Sequence, residues 1–280
     1  MSLSEGFMDY HTEAPAVIRD FLVYHETIQA HSKHTVDEYY LDLRNFFRYL
    51  KLSRRMVPAD TPLDGISIQD VDLELVRSVK LSDVYAYMSY LSRDRAIHPG
   101  SSDEHYGLNA ASRARKVATI RSFYKYLANK AKLIPDNPMQ DLDSPRLKKS
   151  LPRYLDLEES LELLDSVDGA NQTRDYCILT LFLNCGLRIS ELVGLNVTDV
   201  RDDQLRVLGK GNKERILFLN SACQKAIQDW LTERNMISLN GEKALFVSPT
   251  RRKRLSTAAV HKLVKKHLAQ AGLDSSQYSS

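Results

Sequence analysis

Residues 143–154 read DSPRLKKSLPRY: two prolines, two serines and four basic residues, with no acid after Asp143. Such a stretch has no apolar period to bury and two built-in helix breaks, so it predicts a linker with a positive bias. It divides a chain of 280 residues, longer than one ordinary domain, into two parts that can each bury a core. The expected organisation is a first domain over 1–142, the linker over 143–154, and a second domain over 155–280.

Upstream of the linker the apolar residues recur at helical spacing. Val36, Tyr40, Leu43, Phe47 and Leu50 form one stripe, and Thr35 with Glu38 reads as a capping box at its start. Leu81, Val84, Met88 and Leu91 form a second stripe; Val117, Ile120, Tyr124 and Leu127 form a third, before Pro135 and Pro138 break the pattern. The first half is thus expected to be all-helical, with polar surface loops over 54–64 and 94–106.

Downstream, Asp156 and Glu159 box the start of a helix that carries Leu157, Leu161 and Leu164 on one face. Residues 176–183 are almost wholly apolar, as in a buried central helix. After Asp199 the pattern shortens: 204–208 and 215–219, joined by Gly209-Lys210-Gly211-Asn212, predict a β-hairpin, with 245–247 as a third strand. Helices over 222–231 and 257–268 complete the pattern. The expected fold class is mainly α, an N-terminal helical domain followed by a mixed α/β domain with a small antiparallel sheet.

At 43% hydrophobic and 27% charged residues, the composition belongs to folded globular proteins and excludes wholesale disorder. A net charge of +3 permits a nucleic-acid partner without requiring one. Cys177, Cys185 and Cys223 form no C-x-x-C pair, which fits a reducing cytoplasm. Glu5, Asp9 and Glu13 interrupt any signal-peptide core, and no long apolar run suggests a membrane span.

Two segments carry chemistry. In N-C-G-L-R-I-S-E-L, residues 184–192, a glycine ends an apolar helix and Arg188 follows with Glu191 three residues on. The plainer reading of that spacing is a local ion pair. In V-L-G-K-G-N-K-E-R-I, residues 207–216, a glycine-flanked tip presents Lys210, with Lys213 and Arg215 nearby. A solvated charged turn is the plainer reading here, and the P-loop spacing is absent.

Together and in this order, the segments resemble the catalytic domain of tyrosine recombinases, especially the Xer and phage-integrase group. The first half agrees: SKHTVDEYYLDLRNF, residues 32–46, is similar to that family's opening helix, and SRARKVATIRSFYKYL, residues 112–127, to its later DNA-facing helix. The resemblance implies an N-terminal core-binding domain and a C-terminal catalytic domain. It places the first catalytic arginine at Arg188 and the catalytic lysine at Lys210, with Glu191 supporting.

The implied reaction is site-specific recombination: cleavage of a DNA strand by a tyrosine, giving a 3′-phosphotyrosine and a free 5′-hydroxyl, then religation, with no metal and no cofactor. A guanidinium suits the phosphate oxygens, and a lysine on a hairpin suits protonation of the departing oxygen. The family next requires an H-x-x-R box and a nucleophilic tyrosine. Neither is present, and Tyr278 precedes the position where that box is expected. The expectation is a truncated form or natural fragment, inactive alone and monomeric in free solution. The intact family member forms a homo- or hetero-tetramer on a double-stranded recombination site.

Candidate DNA contacts are Lys33, just before the expected start of the first helix, Arg44 and Arg48 on that helix's polar face, Arg113, Lys116 and Arg121 in the later helix, Lys148 and Lys149 in the linker, Lys213 and Arg215 on the hairpin, and Arg251 and Arg252. Each taken singly is also an ordinary solvated cation. His261 and His267, six residues apart, suit neither a metal site nor the missing box. Two other readings stay open at this point, a non-catalytic DNA-binding regulator with recombinase architecture and a helical interaction module.

Overall fold

The computed structural model describes residues 10–97, 100, 104–147, 153–209, 211 and 213–274. The chain divides into two compact units, Met1–Lys149 and Ser150–Ser280, and the division falls inside the proline- and lysine-bearing stretch. The fold is mainly helical with small antiparallel sheets.

The first unit opens with α1 (Tyr10–Glu13) and α2 (Ala16–Val23), which runs into a π-helical turn at Tyr24–Ile28. Next come α3 (Lys33–Ser53), α4 (Leu73–Arg77), α5 (Leu81–Arg93), the two-residue strands β1 (Ala96–Ile97) and β2 (His105–Tyr106), and α6 (Ala110–Asn129). The α3 stripe of Val36, Tyr40, Leu43, Phe47 and Leu50 is fully buried, as are Val84 and Leu91 of α5 and Val117, Ile120, Tyr124 and Leu127 of α6. Edge-to-face rings knit these helices: Phe21 meets Phe123 at 5.4 Å and Phe46 meets Tyr87 at 5.3 Å between centroids.

Two local expectations are corrected in this unit. Helix α3 starts earlier than Thr35, because the Ser32 hydroxyl accepts from the Thr35 amide at 3.3 Å and so caps it. The loop over 94–106 is not wholly irregular, since β1 and β2 pair antiparallel within it. Gly107 closes that hairpin at φ +88°, where an added Cβ would collide with the Ser92 carbonyl.

The second unit contains α7 (Leu157–Asp165), α8 (Gln172–Cys185), α9 (Ile189–Gly194), β3 (Val200–Arg201), β4 (Gln204–Leu208), β5 (Glu214–Phe218), α10 (Ser221–Asn235), β6 (Val247–Ser248), β7 (Lys253–Arg254) and α11 (Thr257–Gln270). The Asp156–Glu159 box is present with both reciprocal bonds, at 2.8 and 3.1 Å. Of the leucine face read on α7, Leu157 and Leu161 are exposed and Leu164 packs partly buried against the core, while the neighbouring Leu163 is fully buried. The packed side is therefore the one that Leu163 and Leu164 share, turned about one position from the face the spacing marked. In α8, Cys177, Ile178, Leu179 and Leu181 are buried, so this is the central helix.

Strands β3, β4 and β5 form one antiparallel sheet in that order. The third strand is therefore Val200–Arg201 rather than 245–247. Leu245 instead serves the core: its carbonyl accepts from the buried Trp230 indole at 2.9 Å, while Val247–Ser248 pairs with Lys253–Arg254. No helix among the described residues is long and apolar enough to cross a membrane.

Candidate active site

Helix α8 ends because Gly186 takes a left-handed conformation, φ +57°, which glycine adopts without a Cβ penalty. Leu187 then returns to the core, and Arg188, in extended conformation, becomes the N-cap residue of α9. Three residues on, Glu191 folds back. It accepts the Arg188 backbone amide at 2.9 Å and Arg188 Nη1 at 3.0 Å. The ion pair read from the spacing is therefore made, but it has a third member.

Arg215, the second residue of β5, donates Nη1 to Glu191 Oε1 at 2.8 Å and Nη2 to Oε2 at 2.9 Å, a two-pronged match of guanidinium to carboxylate. The Glu191 side chain is only 3% exposed, whereas that of Arg188 is 70% exposed. One buried carboxylate thus holds two arginines and leaves one presented to solvent. The hydrogen bonds from Arg215, then those from Arg188, pull the Glu191 carboxyl down to about 2 against the opposing effect of burial. At neutral pH it is anionic and offsets only one of the two guanidinium charges.

The β4–β5 turn sits against this pair. Gly209 donates to the Lys213 carbonyl at 2.8 Å, and a Cβ on Gly209 would lie 3.4 Å from both Arg215 Nη1 and Glu191 Oε1. Lys210, the candidate lysine, lies outside the described residues, as do Lys148, Lys149 and Tyr278. Beside Arg188 is a cleft of about 850 Å³ whose lining includes Phe182, Leu187, His261 and Val264.

The structure sorts the other candidate cations. Lys116 is removed from the DNA-facing set: it is buried and bonded to the fully buried Asp42 at 2.6 Å. Its position reads as polar on a helix wheel, yet α3 packs against that face and supplies the carboxylate. Arg215 is held by Glu191, with 37% of its side chain exposed. Arg48 is largely covered and donates to the Ile66 carbonyl at 2.8 Å. Arg44 lies over the Tyr40 ring and 3.8 Å from Glu13. Arg113 is half-buried, and Arg121 is exposed while bonding Ser144 at 3.2 Å. Lys33, Lys213, Arg251 and Arg252 are exposed.

Sequence spacing missed the Arg215–Glu191 bond because its partners are 24 positions apart. It also missed Arg115, which bridges Asp42 and Glu38 across α3 and α6. Beside the candidates Arg251 and Arg252, Arg254 is structural: it donates to the carbonyls of Val193 and Leu195 and to Asn196. His267 is buried, 3.2 Å from Asp175, which also holds Arg174. Among the described residues no three His, Cys, Asp or Glu side chains converge as a metal site would require.

Residues 153–280 match the phage integrase family. Tyrosine recombinase XerC of Caldanaerobacter subterraneus subsp. tengcongensis is 49% identical over 266 residues, covering 95% of this chain and 72% of the relative. XerC of Syntrophus aciditrophicus is 32% identical over 267 residues, covering 92% and 78%. Among solved structures, XerH recombinase bound to palindromic difH substrate, a post-cleavage complex, superposes with a TM-score of 0.58 at 20% identity, over 86% of this chain and 64% of that one. A lambda integrase dimer bound to a COC′ core site superposes with a TM-score of 0.56 at 18% identity, over 91% and 82%; these two show the shared fold. By its sequence likeness across nearly its whole length, the chain belongs to the phage integrase family of tyrosine recombinases.

Proposed function

We propose that this chain binds a double-stranded recombination site and contributes the phosphate-gripping part of a site-specific strand-exchange centre. The observation that carries the reading is the solvent-facing Arg188, locked at a helix start by a buried glutamate that is itself held by Arg215. Such a guanidinium is pre-ordered, so little side-chain freedom is lost when it meets a phosphate.

In the proposed reaction a tyrosine hydroxyl attacks the scissile phosphorus. A bond forms between them as the bond to the 5′-oxygen breaks, leaving a 3′-phosphotyrosine. Arg188 binds the non-bridging oxygens, where negative charge builds in the transition state. Lys210 delivers the proton that the departing 5′-oxygen takes up. Glu191 is a positioning residue, since an anion facing phosphate would be repelled. In the second step a 5′-hydroxyl of the partner strand attacks the phosphotyrosine and releases the tyrosine.

Residues 1–142 supply the core-binding part, residues 143–154 the basic linker and residues 155–280 the catalytic part. Lys33, Arg44, Arg113, Arg121, Lys148, Lys149, Lys213, Arg251 and Arg252 are the proposed backbone contacts. The setting is the cytoplasm, and the role is resolution of chromosome dimers or integration of mobile elements, with homo- or hetero-tetramers on DNA. The 280 residues contain no H-x-x-R box, so these residues are expected to bind a site without completing cleavage.

Fluorescence anisotropy tests the reading, with the chain titrated onto a palindromic recombination-site duplex and onto a scrambled duplex at one moderate salt concentration. Tighter binding to the site, with no covalent adduct in a denaturing gel, is the expected result. Equal affinity for both duplexes, or negligible affinity for both, would overturn it.

A further inference from the structure

The end of α8 and the start of α10 bring two thiols together. Cys185 Sγ and Cys223 Sγ are 4.0 Å apart, with Cys185 half-buried and Cys223 fully buried. The helix ends around them are already latched: Asn220 donates to the Asn184 side chain at 2.8 Å and, through its own oxygen, caps the Cys223 amide at 2.9 Å. Closing the sulfur pair to a bond of about 2.05 Å asks for side-chain rotation and a small shift of helix ends that already face each other.

The two positions also bracket the site. Everything between them in sequence, a separation of 38 residues, is the segment that carries Arg188, Glu191, the β4–β5 hairpin and Arg215.

We propose that Cys185 and Cys223 form a redox-modification site, a dithiol that closes to an intrachain disulfide by exchange with small disulfides of the oxidised-glutathione class and so staples both ends of the Arg188–Arg215 segment. Cys185, the more accessible thiol, loses its proton and attacks one sulfur of the small disulfide. A mixed disulfide forms on Cys185 and one small thiolate leaves. Cys223, in contact with Cys185, loses its proton and attacks the Cys185 sulfur, releasing the second small thiolate. The two cysteines are oxidised by two electrons, the small disulfide is reduced by two, and the two protons end on the two released thiols.

Burial holds the Cys185 thiol above its ordinary range, and burial followed by the neighbouring Cys185 pushes Cys223 up to about 12. Closure is therefore slow at neutral pH and quickens as pH rises. Cys177 lies deep in the core with its thiol pushed up by burial and is not a partner in the exchange. The chemistry of the pair stands on its own geometry. Its bearing on strand exchange, through restriction of the Arg188 turn, rests on the recombinase reading above.

The full chain, incubated in an oxidised-to-reduced glutathione series at about pH 8.5 and then acid-quenched and alkylated, reports the result by mass. Expected are a loss of two hydrogen atoms, a peptide linking Cys185 to Cys223, and a Tm several degrees above that of the reduced chain, all reversed by dithiothreitol. Cys177→Ser should behave as the parent, and Cys185→Ser should yield no linked peptide. The proposal falls if the folded parent, checked by circular dichroism, keeps both thiols alkylatable, or if glutathione stays trapped on Cys185 unresolved. DNA binding by the reduced chain tests the recombinase reading separately.

Discussion

Glu191 is a small group with two large consequences: it caps α9 through the Arg188 amide, and it couples that cap to β5 through Arg215. A carboxylate whose folded pKa lies near 2 stabilises the fold fully above its unfolded value of about 4.3, and that contribution is lost as pH falls toward 2. Glu191→Gln keeps the shape and removes the charge. Its Tm should lie a few degrees below the parent at pH 7, with the gap narrowing as pH falls from about 4.3; thermal melts of both proteins across that window check it. A gap independent of pH would mean that packing, not charge, holds Glu191. Of this arrangement the sequence displayed only the Arg188–Glu191 half. A spacing of three residues is visible on a helical turn, whereas the reach of Arg215 from a neighbouring strand depends on how the hairpin folds back.

At the scale of elements, Asp42 joins α3 to α6. Its carboxylate, wholly buried, accepts from Arg115 at 2.8 Å, Lys116 at 2.6 Å and Thr119 at 3.0 Å. Burial, the largest effect, lowers the Lys116 pKa, and Asp42 opposes it by charge and by hydrogen bond, so the ammonium depends on this one carboxylate. Asp42→Ala leaves that charge buried and unpaired, and should cost about 3–5 kcal/mol of stability by urea unfolding. A loss under about 1 kcal/mol would place Lys116 in water after all.

The helices themselves were legible because their apolar stripes are long and regular, as in α3, α6 and α11. The hairpin was legible from its glycines. Shorter elements were not: in α7 three leucines at helical spacing marked one face, yet Leu163 and Leu164 are the ones that pack, and a two-residue strand such as Val200–Arg201 leaves too little pattern to distinguish it from 245–247. The polar appearance of Lys116 on α6 misled for a related reason, since a cation and its carboxylate can be buried together when they sit on different helices.

For the whole molecule, a net charge of +3 makes DNA affinity a matter of where cations stand rather than how many there are. Of the candidate cations, Lys116 is buried against Asp42, and Arg215 is tied to Glu191 while still partly exposed. Exposed ones remain in both units, at Lys33 and Arg121 in the first and at Arg188, Lys213, Arg251 and Arg252 in the second. The central claim is that Arg188, presented by Glu191 and Arg215, grips a DNA phosphate. The most direct test is the slope of log affinity against log salt for the parent and for Arg188→Ala on the same palindromic duplex. The account predicts a steep negative slope for the parent, ~0.9 per phosphate contacted, made shallower by about one unit in the variant with its melting temperature nearly unchanged. A slope near zero in the parent, or the same slope in both proteins, would contradict it.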